Sequence, residues 1–336
     1  MVTVILEGVG MDVIFPVAGL GTRLRPQTWS KPKPLVSVAG KPMFEHVIDR
    51  LLPSGPSRLV FITGYLGDQI EHWARETYPN LDLAFVEQPE MLGQTDAIIR
   101  VRDICQDDAL ILFPDALFEA DFGALDDLDA DGVIFTKVVE DPSALGVTLL
   151  DEDGYITRLI EKPSEPVSNQ ATVGIYYIKR MADLYAAIDD QMARGIRTKN
   201  EYFIADALQI MIDQGRKFIT SNIDVWEDCG NADALLQTNR YLLGHNPPSP
   251  AQRPGSVIIP PAFVDQTATL EHAIVGPNAS IGPGAIIADS VVRDSIVEAN
   301  AFISGVVLEH SVIGRSASIS GEPAQVNVAD ASKVRV

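Results

Sequence analysis

The chain has 336 residues, of which 46% are hydrophobic and 21% charged, and its formal net charge is −20 at pH 7. This length suits two domains rather than one. The acidic balance argues against nucleic acid as a partner, because a nucleic-acid-binding domain presents a basic face. No apolar run reaches the roughly 20 residues that cross a bilayer, so we expect no membrane partner either.

The cysteine content and the N-terminal residues indicate the cellular setting. Cys105 and Cys229 are the only cysteines, which is too few for a disulfide framework and indicates a reducing cytoplasm. Residues 1–15 lack the basic segment and the small-residue cleavage site of a signal peptide. Met11 is as natural a start for the fold as Met1, and residues 1–10 then form a short extension.

The first 240 residues alternate strand-like and helix-like segments. The run DVIF at 12–15 predicts a buried strand, and residues 41–52 carry apolar side chains at a helical period, with Pro42 suited to the first turn. Further strands are predicted at 57–64, 81–88 and 108–115, and further helices at 68–78 and 95–105. Such alternation is typical of parallel strands joined by crossover helices.

The pattern changes near residue 146. Residues 146–163 predict two strands around a turn at Asp151–Gly154, and residues 171–179 predict another strand. Two helices are predicted to follow, at 180–193 and 202–215. The first domain, residues 11–243, is therefore predicted to be α/β with a Rossmann-like mixed sheet.

A different architecture is predicted beyond a linker at 244–256, which is rich in proline, glycine and polar residues. Aliphatic residues recur at steps of six, as in Val275, Ile281 and Ile287, and small residues such as Ala279 lie four positions after an aliphatic one. This hexapeptide repeat predicts a short left-handed parallel β-helix over residues 257–322, followed by a tail at 323–336.

The most informative stretch is the turn after the first strand, PVAGLGTRLRPQTWSKPKPL at 16–35. A Walker A loop is excluded because its spacing is absent, and a Rossmann fingerprint fails because Leu24 stands where the third glycine belongs. The remaining interpretation is a glycine-rich turn whose backbone N–H groups wrap a triphosphate, with Arg23 and Lys33 completing the clamp.

Residues 18–43 resemble the signature of the sugar-1-phosphate nucleotidyltransferases, which are nucleoside-diphosphate-sugar pyrophosphorylases. The match combines G-x-G-T-R-L, P-x-T, P-K-P-L and G-K-P at fixed spacing. The form PVAGLGTR is closest to the uridylyltransferases, whereas KPKPLVSVAGKPM is closer to the thymidylyltransferase-like and guanylyltransferase-like branches. The resemblance covers residues 11–243 and extends to the repeat region, since several branches carry an added β-helix.

This resemblance implies an enzyme with a nucleoside triphosphate and a sugar 1-phosphate as its substrates. The sugar-phosphate oxygen attacks the α-phosphorus, pyrophosphate leaves in line, and an NDP-sugar of the dTDP- or UDP-glucose type forms. Such a reaction needs cations on both phosphate groups to align two polyanions. The resemblance assigns catalytic roles to Arg23, Lys33 and Lys162, and nucleotide binding to Ala18, Gly19, Gly21 and Thr22.

Two aspartates resemble the family's ligands for Mg²⁺, which is the cofactor that the resemblance implies. Asp115 ends the apolar strand LILFPD, where ligands bind in doubly wound folds, and Asp228 lies in a W-x-D-x-G pattern. Each aspartate could instead cap a following turn or helix. Asn231 could cap the helix after Asp228, which would leave Asp228 for the metal.

The resemblance also places the sugar and the base. In the family, the E-K-P motif sets Lys162 on the sugar phosphate and Glu161 on the sugar hydroxyls, and Gly146 and Val173 match the lining of the sugar pocket. Leu145 departs from the aromatic residue that thymidylyltransferases often have there. The segment EQPEMLGQTDAI matches the base-recognition segment: Gln88 offers an amide donor and acceptor, and Gly93 permits close approach of the base.

Three alternatives accompany this prediction. The first is a guanylyltransferase that makes GDP-mannose. The second is a regulatory homologue that binds sugar nucleotides without turnover, which the presence of Arg23, Lys33 and both aspartates disfavours. The third is an acetyltransferase activity of the β-helix, with His272 or His310 as base. The repeat region is short for that, so we expect a role in packing or in a homo-oligomer.

Overall fold

The computed structural model describes residues 10–113, 116–120, 122, 125, 128–165, 167–245 and 253–322. The chain divides into two compact units. The first unit contains Met1–Val36 and Met43–Gly230, and the second contains Ser37–Pro42 and Asn231–Val336. The domain predicted at 11–243 therefore spans the first unit and part of the second. Within the described ranges, no helix has the length and apolar character needed to cross a bilayer.

Strands and helices alternate through the first 245 residues. In chain order the strands are β1 (Asp12–Pro16), β2 (Ser37–Val38), β3 (Lys41–Pro42), β4 (Arg58–Thr63), β5 (Leu83–Glu87), β6 (Ala109–Leu112), β7 (Ala116–Glu119), β8 (Gly132–Val138), β9 (Gly146–Leu150), β10 (Ile156–Glu161), β11 (Gln170–Ile178), β12 (Phe218–Asn222) and β13 (Val225–Asp228). The helices are α1 (Met43–Leu51), α2 (Gly67–Thr77), α3 (Gln94–Ile99), α4 (Met181–Ala193), α5 (Ile204–Asp213) and α6 (Ala232–His245).

The first unit is built on a mixed sheet. Strands β1, β4, β5 and β6 are parallel to one another, with β1 at the centre between β4 and β6. Strand β11 then runs antiparallel to β6 and β8, and β12 lies parallel to β8. The antiparallel pair β9 and β10 joins through β11. The predicted α/β class with a mixed sheet is confirmed.

Helices cover both faces of this sheet, and the side chains along each strand point alternately into one or the other of two hydrophobic cores. In β1, Ile14 belongs to the core beneath α3, α4 and α5, whereas Val13 and Phe15 belong to the core that includes α1 and α2. Helix α1 contributes apolar side chains at the spacing of one helical face. It begins at Met43, so Pro42 lies in β3 and not in the first turn, which corrects the prediction.

A bulge in β11 shapes the edge of the sheet where the site lies. The register against β8 shifts between Thr172 and Tyr176, and Gly174 lies inside this shift with φ +81°. The Gly174 carbonyl accepts a hydrogen bond from the N–H of Phe113, the residue after β6, at 2.9 Å. Bulges often occur next to active sites because they redirect side chains.

The second unit contains three sheets of short parallel strands, wound as the predicted left-handed β-helix. Its strands are β14 (Val257–Ile258), β15 (Ala262–Val264), β16 (Thr269–Glu271), β17 (Ile274–Val275), β18 (Ala279–Ile281), β19 (Ile286–Ala288), β20 (Val291–Arg293), β21 (Ile296–Val297), β22 (Phe302–Ser304), β23 (Val307–Glu309), β24 (Val312–Ile313) and β25 (Ser318–Ser320). Each coil stacks on the next through parallel pairing.

The repeat is shorter than a strict hexapeptide. Strand pairing advances by 17 residues from Val257 to Ile274 and by 16 from Val291 to Val307, because some sides use five residues instead of six. Val292, five positions after Ile287, is consequently buried in the same core. The corners turn in the left-handed region, with φ between 47° and 61° at Asn278, Asp294 and His310. Short polar side chains such as Asn and Asp tolerate that conformation.

Candidate functional site

The loop after β1 is a chain of short turns, because its prolines prevent a long helix from forming. Single turns of 3-10 helix occur at Thr22–Leu24, Gln27–Trp29 and Lys33–Leu35. Gly21 adopts φ +60°, and its carbonyl accepts hydrogen bonds from the Thr28 hydroxyl at 2.8 Å and from the Leu24 N–H at 3.0 Å. A Cβ at Gly21 would lie 3.0 Å from that of Lys33. The loop is therefore folded tightly onto itself.

A cavity of about 280 Å³ opens against this loop. Gly19, Gly21, Thr22, Arg23 and Lys33, all predicted from the sequence to hold a triphosphate, line it. A Cβ at Gly19 would meet nothing within 4 Å, so the backbone there faces open space. The other residues that line this cavity are Pro16, Val17, Pro34, Phe113 and Gly230. Ala18 is buried behind the loop, where its carbonyl accepts a hydrogen bond from the N–H of Tyr65 at 3.3 Å.

A second cavity, of about 470 Å³, adjoins the first. The predicted sugar-side residues Gly146, Glu161, Lys162 and Val173 all line it. The remaining lining residues are Arg23, Gln94, Phe113, Ala144, Leu145, Thr172, Gly174, Tyr176, Phe203 and Trp226. Arg23 and Phe113 line both cavities, so the two cavities share a wall that contains one guanidinium group.

Glu161 and Lys162 form the charged corner of the second cavity. Lys162 Nζ lies 3.4 Å from Glu161 Oε1, and the Glu161 side chain is 14% exposed. Burial raises the pKa of Glu161, and the neighbouring Lys162 acts against that rise. Glu161 pairs with Gly146 across β9 and β10, and a Cβ at Gly146 would lie 2.9 Å from Glu161 Oε2. Glycine at position 146 therefore makes room for the carboxylate.

Gln88 and Gly93, the residues predicted to recognise the base, form a hydrogen-bonded turn and line neither of these two cavities. Gln88 is 6% exposed, and its amide nitrogen donates to the Gly93 carbonyl at 3.1 Å and to Asp96 Oδ2 at 2.8 Å. Gly93 has φ +132°, and a Cβ there would lie 2.4 Å from the backbone nitrogen of Tyr202. The backbone of Tyr202 thus occupies the space that glycine provides at position 93.

Asp115 and Asp228 are the two predicted metal ligands. Asp115 lies outside the described residues, and for Asp228 only the backbone is described. Strands β13 and β7 are antiparallel, and their register sets Asp228 opposite Ala116, the residue after Asp115 in the sequence. Asn231 Oδ1 accepts a hydrogen bond from the N–H of Ala234 at 3.0 Å, so Asn231 caps α6, as predicted.

The cavities also have aromatic lining residues, to which no role was assigned from the sequence. Phe113, Phe203 and Trp226 line the cavities, and Gln94 contributes an amide. Two signals were available in the sequence: Phe113 directly precedes Pro114 and Asp115, and Trp226 is the tryptophan of the W-x-D-x-G pattern. Phe203 precedes α5, and nothing in its local pattern distinguishes it from a core residue.

Residues 13–244 match the nucleotidyl transferase family, and the chain belongs to that family. It is 31% identical to the UTP–glucose-1-phosphate uridylyltransferase of Haloferax volcanii over 240 residues, which is 68% of this chain and 97% of that protein. It is 28% identical to a glucose-1-phosphate thymidylyltransferase of Streptomyces antibioticus over 342 residues, covering 92% of this chain and 94% of the relative.

The fold has a solved counterpart. A crystal structure of UDP-glucose pyrophosphorylase complexed with UDP-glucose matches 71% of this chain and all of that chain, with a TM-score of 0.61 and 21% identity. The predicted enzyme class, transfer of a nucleotidyl group from a nucleoside triphosphate to a sugar 1-phosphate to form an NDP-sugar, is confirmed. Nucleotidyltransferases generally use a divalent metal ion.

Proposed function

We propose that this chain transfers a uridylyl or thymidylyl group to glucose 1-phosphate and releases pyrophosphate. One observation carries the proposal: the cavity of the glycine-rich loop and the cavity of Glu161 and Lys162 share Arg23 and Phe113 in their walls. Two phosphate-bearing substrates bound in these cavities would place their reacting groups at the shared wall. The names of the two relatives support this choice of nucleotide and of sugar.

Each polar group has a task in this reaction. Arg23 and Lys33 neutralise the triphosphate, with backbone N–H groups of the loop as further donors. Lys162 binds the phosphate of the sugar and holds the attacking oxygen in line with the α-phosphorus. Glu161 accepts hydrogen bonds from sugar hydroxyls. The charge of Arg23 acts where both phosphate groups meet, which offsets their mutual repulsion.

The chemistry of Asp115 and Asp228, two carboxylates, suits a hard divalent cation. The pairing of β13 with β7 sets the backbone of Asp228 opposite Ala116, which follows Asp115 in the sequence. Mg²⁺ takes one or two carboxylates and keeps several waters. We therefore propose Asp115 and Asp228 as Mg²⁺ ligands. Bound Mg²⁺ would supply charge neutralisation at the triphosphate.

A substrate matrix tests the proposal. Pyrophosphate release is measured with UTP, dTTP, GTP, CTP and ATP against glucose, mannose and N-acetylglucosamine 1-phosphates. We expect the highest kcat/KM for glucose 1-phosphate with UTP or dTTP. Preference for GTP with mannose 1-phosphate would instead establish the guanylyltransferase, and binding of sugar nucleotides without turnover would establish the regulatory homologue.

Two variants test the assigned roles within the same assay. Asp115→Ala should abolish turnover, because it removes a metal ligand. Lys162→Ala should chiefly raise the KM for the sugar 1-phosphate, by roughly 10-fold or more, because it removes a charged hydrogen bond to the phosphate. Equal, mild effects of both changes would contradict these assignments.

For the second unit we propose self-association. Val257, Ile274, Val291 and Val307 stack by register along one sheet, and Val257 and Val307 are 55% and 67% exposed. These four stacked side chains carry no charge. Two copies of a chain with net charge −20 would repel each other least if they met at such an uncharged surface. Sedimentation of the wild type and Val307→Lys checks this, and an unchanged distribution of species would contradict it.

A further inference from the structure

The second cavity contains an aromatic ring next to its lysine. Phe203 is 7% exposed and stands directly before α5, and its ring lines the cavity. Lys162 Nζ lies 4.7 Å from the centroid of that ring. An ammonium group within about 6 Å of a ring face is attracted by the negative face of the π system. The pair is therefore a cation–π contact inside the site.

The Lys162 ammonium has two neighbours, the Phe203 ring and the Glu161 carboxylate. Glu161 Oε1 lies 3.4 Å from Lys162 Nζ, and the Lys162 backbone is itself fixed, with φ +48° and its N–H donating to the Leu145 carbonyl at 3.0 Å. A carboxylate accepts hydrogen bonds from the ammonium, whereas a ring face attracts the charge without a lone pair at an oxygen. The ring therefore attracts the ammonium without accepting a hydrogen bond from it.

Phe203 is itself held from several sides. Its carbonyl accepts a hydrogen bond from Gln191 Nε2 at 3.0 Å, and the N–H of Ile204 donates to Gln94 Oε1 at 3.0 Å. The preceding residue, Tyr202, donates to the Leu92 carbonyl at 3.0 Å and accepts from the Thr95 N–H at 3.1 Å. These bonds hold the backbone of the segment that carries the ring.

We propose that Phe203 is a positioning residue, which sets the affinity for the sugar 1-phosphate by holding the Lys162 ammonium toward the second cavity. The inference rests on the proposed function, because it takes Lys162 as the group that binds the acceptor phosphate. It adds a residue with no charge and no hydrogen-bonding group to the acceptor site. It also joins that site to the turn at 92–95, since both depend on the segment Tyr202–Ile204.

The first experiment removes the ring and then restores it. Phe203→Leu should raise the KM for glucose 1-phosphate about 10-fold, with the KM for the nucleoside triphosphate within about twofold of the wild type. Phe203→Tyr, which keeps the ring, should restore the KM for glucose 1-phosphate to within about threefold. A parallel rise in both KM values would overturn the proposal, because it would indicate a general structural effect.

The second experiment keeps the shape of the side chain and changes only its electrostatics. Phe203 is replaced by phenylalanine with one, two and three ring fluorines, which weaken the negative face step by step while leaving the fold intact. We expect the KM for glucose 1-phosphate to rise with each added fluorine. A constant KM across the series would overturn the proposal even if Phe203→Leu failed to fold.

Two controls separate the possible failures. Phe218→Leu removes a fully buried phenylalanine that lines neither cavity, and it should leave both KM values unchanged. In a Lys162→Met background, Phe203→Leu should change the Kd for glucose 1-phosphate by less than twofold, because the ring acts through the lysine. If the wild type used no sugar 1-phosphate at all, the proposed function would fail. A working wild type with unchanged Phe203 variants would contradict the inference alone.

Discussion

Gly93 and Gly19, two glycines of the predicted site, have very different surroundings. Gly93 has φ +132°, and the backbone of Tyr202 fills the space beside its Cα. Gly19 faces an open cavity, and a Cβ there would meet nothing within 4 Å. The fold therefore requires glycine at position 93, whereas at position 19 the folded chain itself has room for a side chain.

Gly93→Ala should therefore destabilise the protein. A Cβ 2.4 Å from the Tyr202 nitrogen forces the turn at 92–95 away from the segment before α5, at a cost of about 2 kcal/mol or more. Chemical denaturation checks this through the free energy of unfolding. The same change should raise both KM values, since the turn supports Phe203 as well as Gln88, the residue predicted to recognise the base.

Gly19→Ala is the matched variant with the opposite expectation. Its free energy of unfolding should stay within about 0.5 kcal/mol of the wild type, because the added methyl group meets no protein atom. Its KM for the nucleoside triphosphate should rise, because the methyl group projects into the cavity of the glycine-rich loop. Loss of stability without a change in KM would contradict the assignment of this cavity to the triphosphate.

Local motifs predicted the charged residues of the site but not its aromatic ones. Arg23, Lys33 and Lys162 lie in short patterns with fixed spacing, so sequence alone indicates them. The ring of Phe203 reaches Lys162 only through the packing of α5 beside β10, a contact between distant parts of the chain. The sequence pattern predicts Gln88 as a base-recognition residue, but its hydrogen bonds to Gly93 and Asp96 depend on the folded turn.

At the scale of elements, periodic segments were predicted well and isolated ones were not. Helix α1 and strand β4 carry strong local patterns, and both occur as predicted. Strands β7 and β13 pair only with each other among the described residues, and more than 100 residues separate them. No local pattern predicts such a pair. Some sides of the β-helix coils contain five residues instead of six. They were not predicted, because the sequence was compared with a strict period of six.

The N-cap of α6 allows a test at this scale. Asn231 Oδ1 accepts a hydrogen bond from the N–H of Ala234, so Asn231→Ala should lower the free energy of unfolding by about 1 kcal/mol. Asn231→Asp should restore it, because aspartate caps equally well and its charge favours a helix N-terminus. Urea denaturation followed by circular dichroism measures both. Equal losses in the two variants would show that the loss does not come from the capping hydrogen bond.

At the scale of the whole molecule, the two units differ in their spectroscopic signals and in their charge clusters. Trp29, Trp73 and Trp226, the only tryptophans, all belong to the first unit. The second unit contains a cluster in which Arg240 donates two hydrogen bonds to Asp294. These bonds lower the pKa of Asp294, so its stabilising contribution is present above its ordinary pKa and is lost as the pH falls.

His310 gives the same cluster a second pH dependence of opposite sign. Its Nδ1 lies 3.1 Å from Asp294 Oδ2 and its Nε2 lies 3.1 Å from Asp233 Oδ1, while the Arg240 guanidinium lies 3.1 Å from Nδ1. The hydrogen bonds to Asp294 and then to Asp233 raise the pKa of His310. A raised pKa means that the stabilisation is complete below the unfolded value of about 6.5 and disappears as the pH rises through the folded value.

The variant His310→Asn tests this linkage, with asparagine chosen because it tolerates the φ of +52° at that corner. Thermal unfolding is followed by circular dichroism between pH 5 and pH 9, with tryptophan fluorescence as the signal of the first unit. The variant should unfold at a lower temperature than the wild type at pH 5 to 6, and the two proteins should converge toward pH 9. A difference of constant size across this range would show that the histidine stabilises by packing and not by its charge.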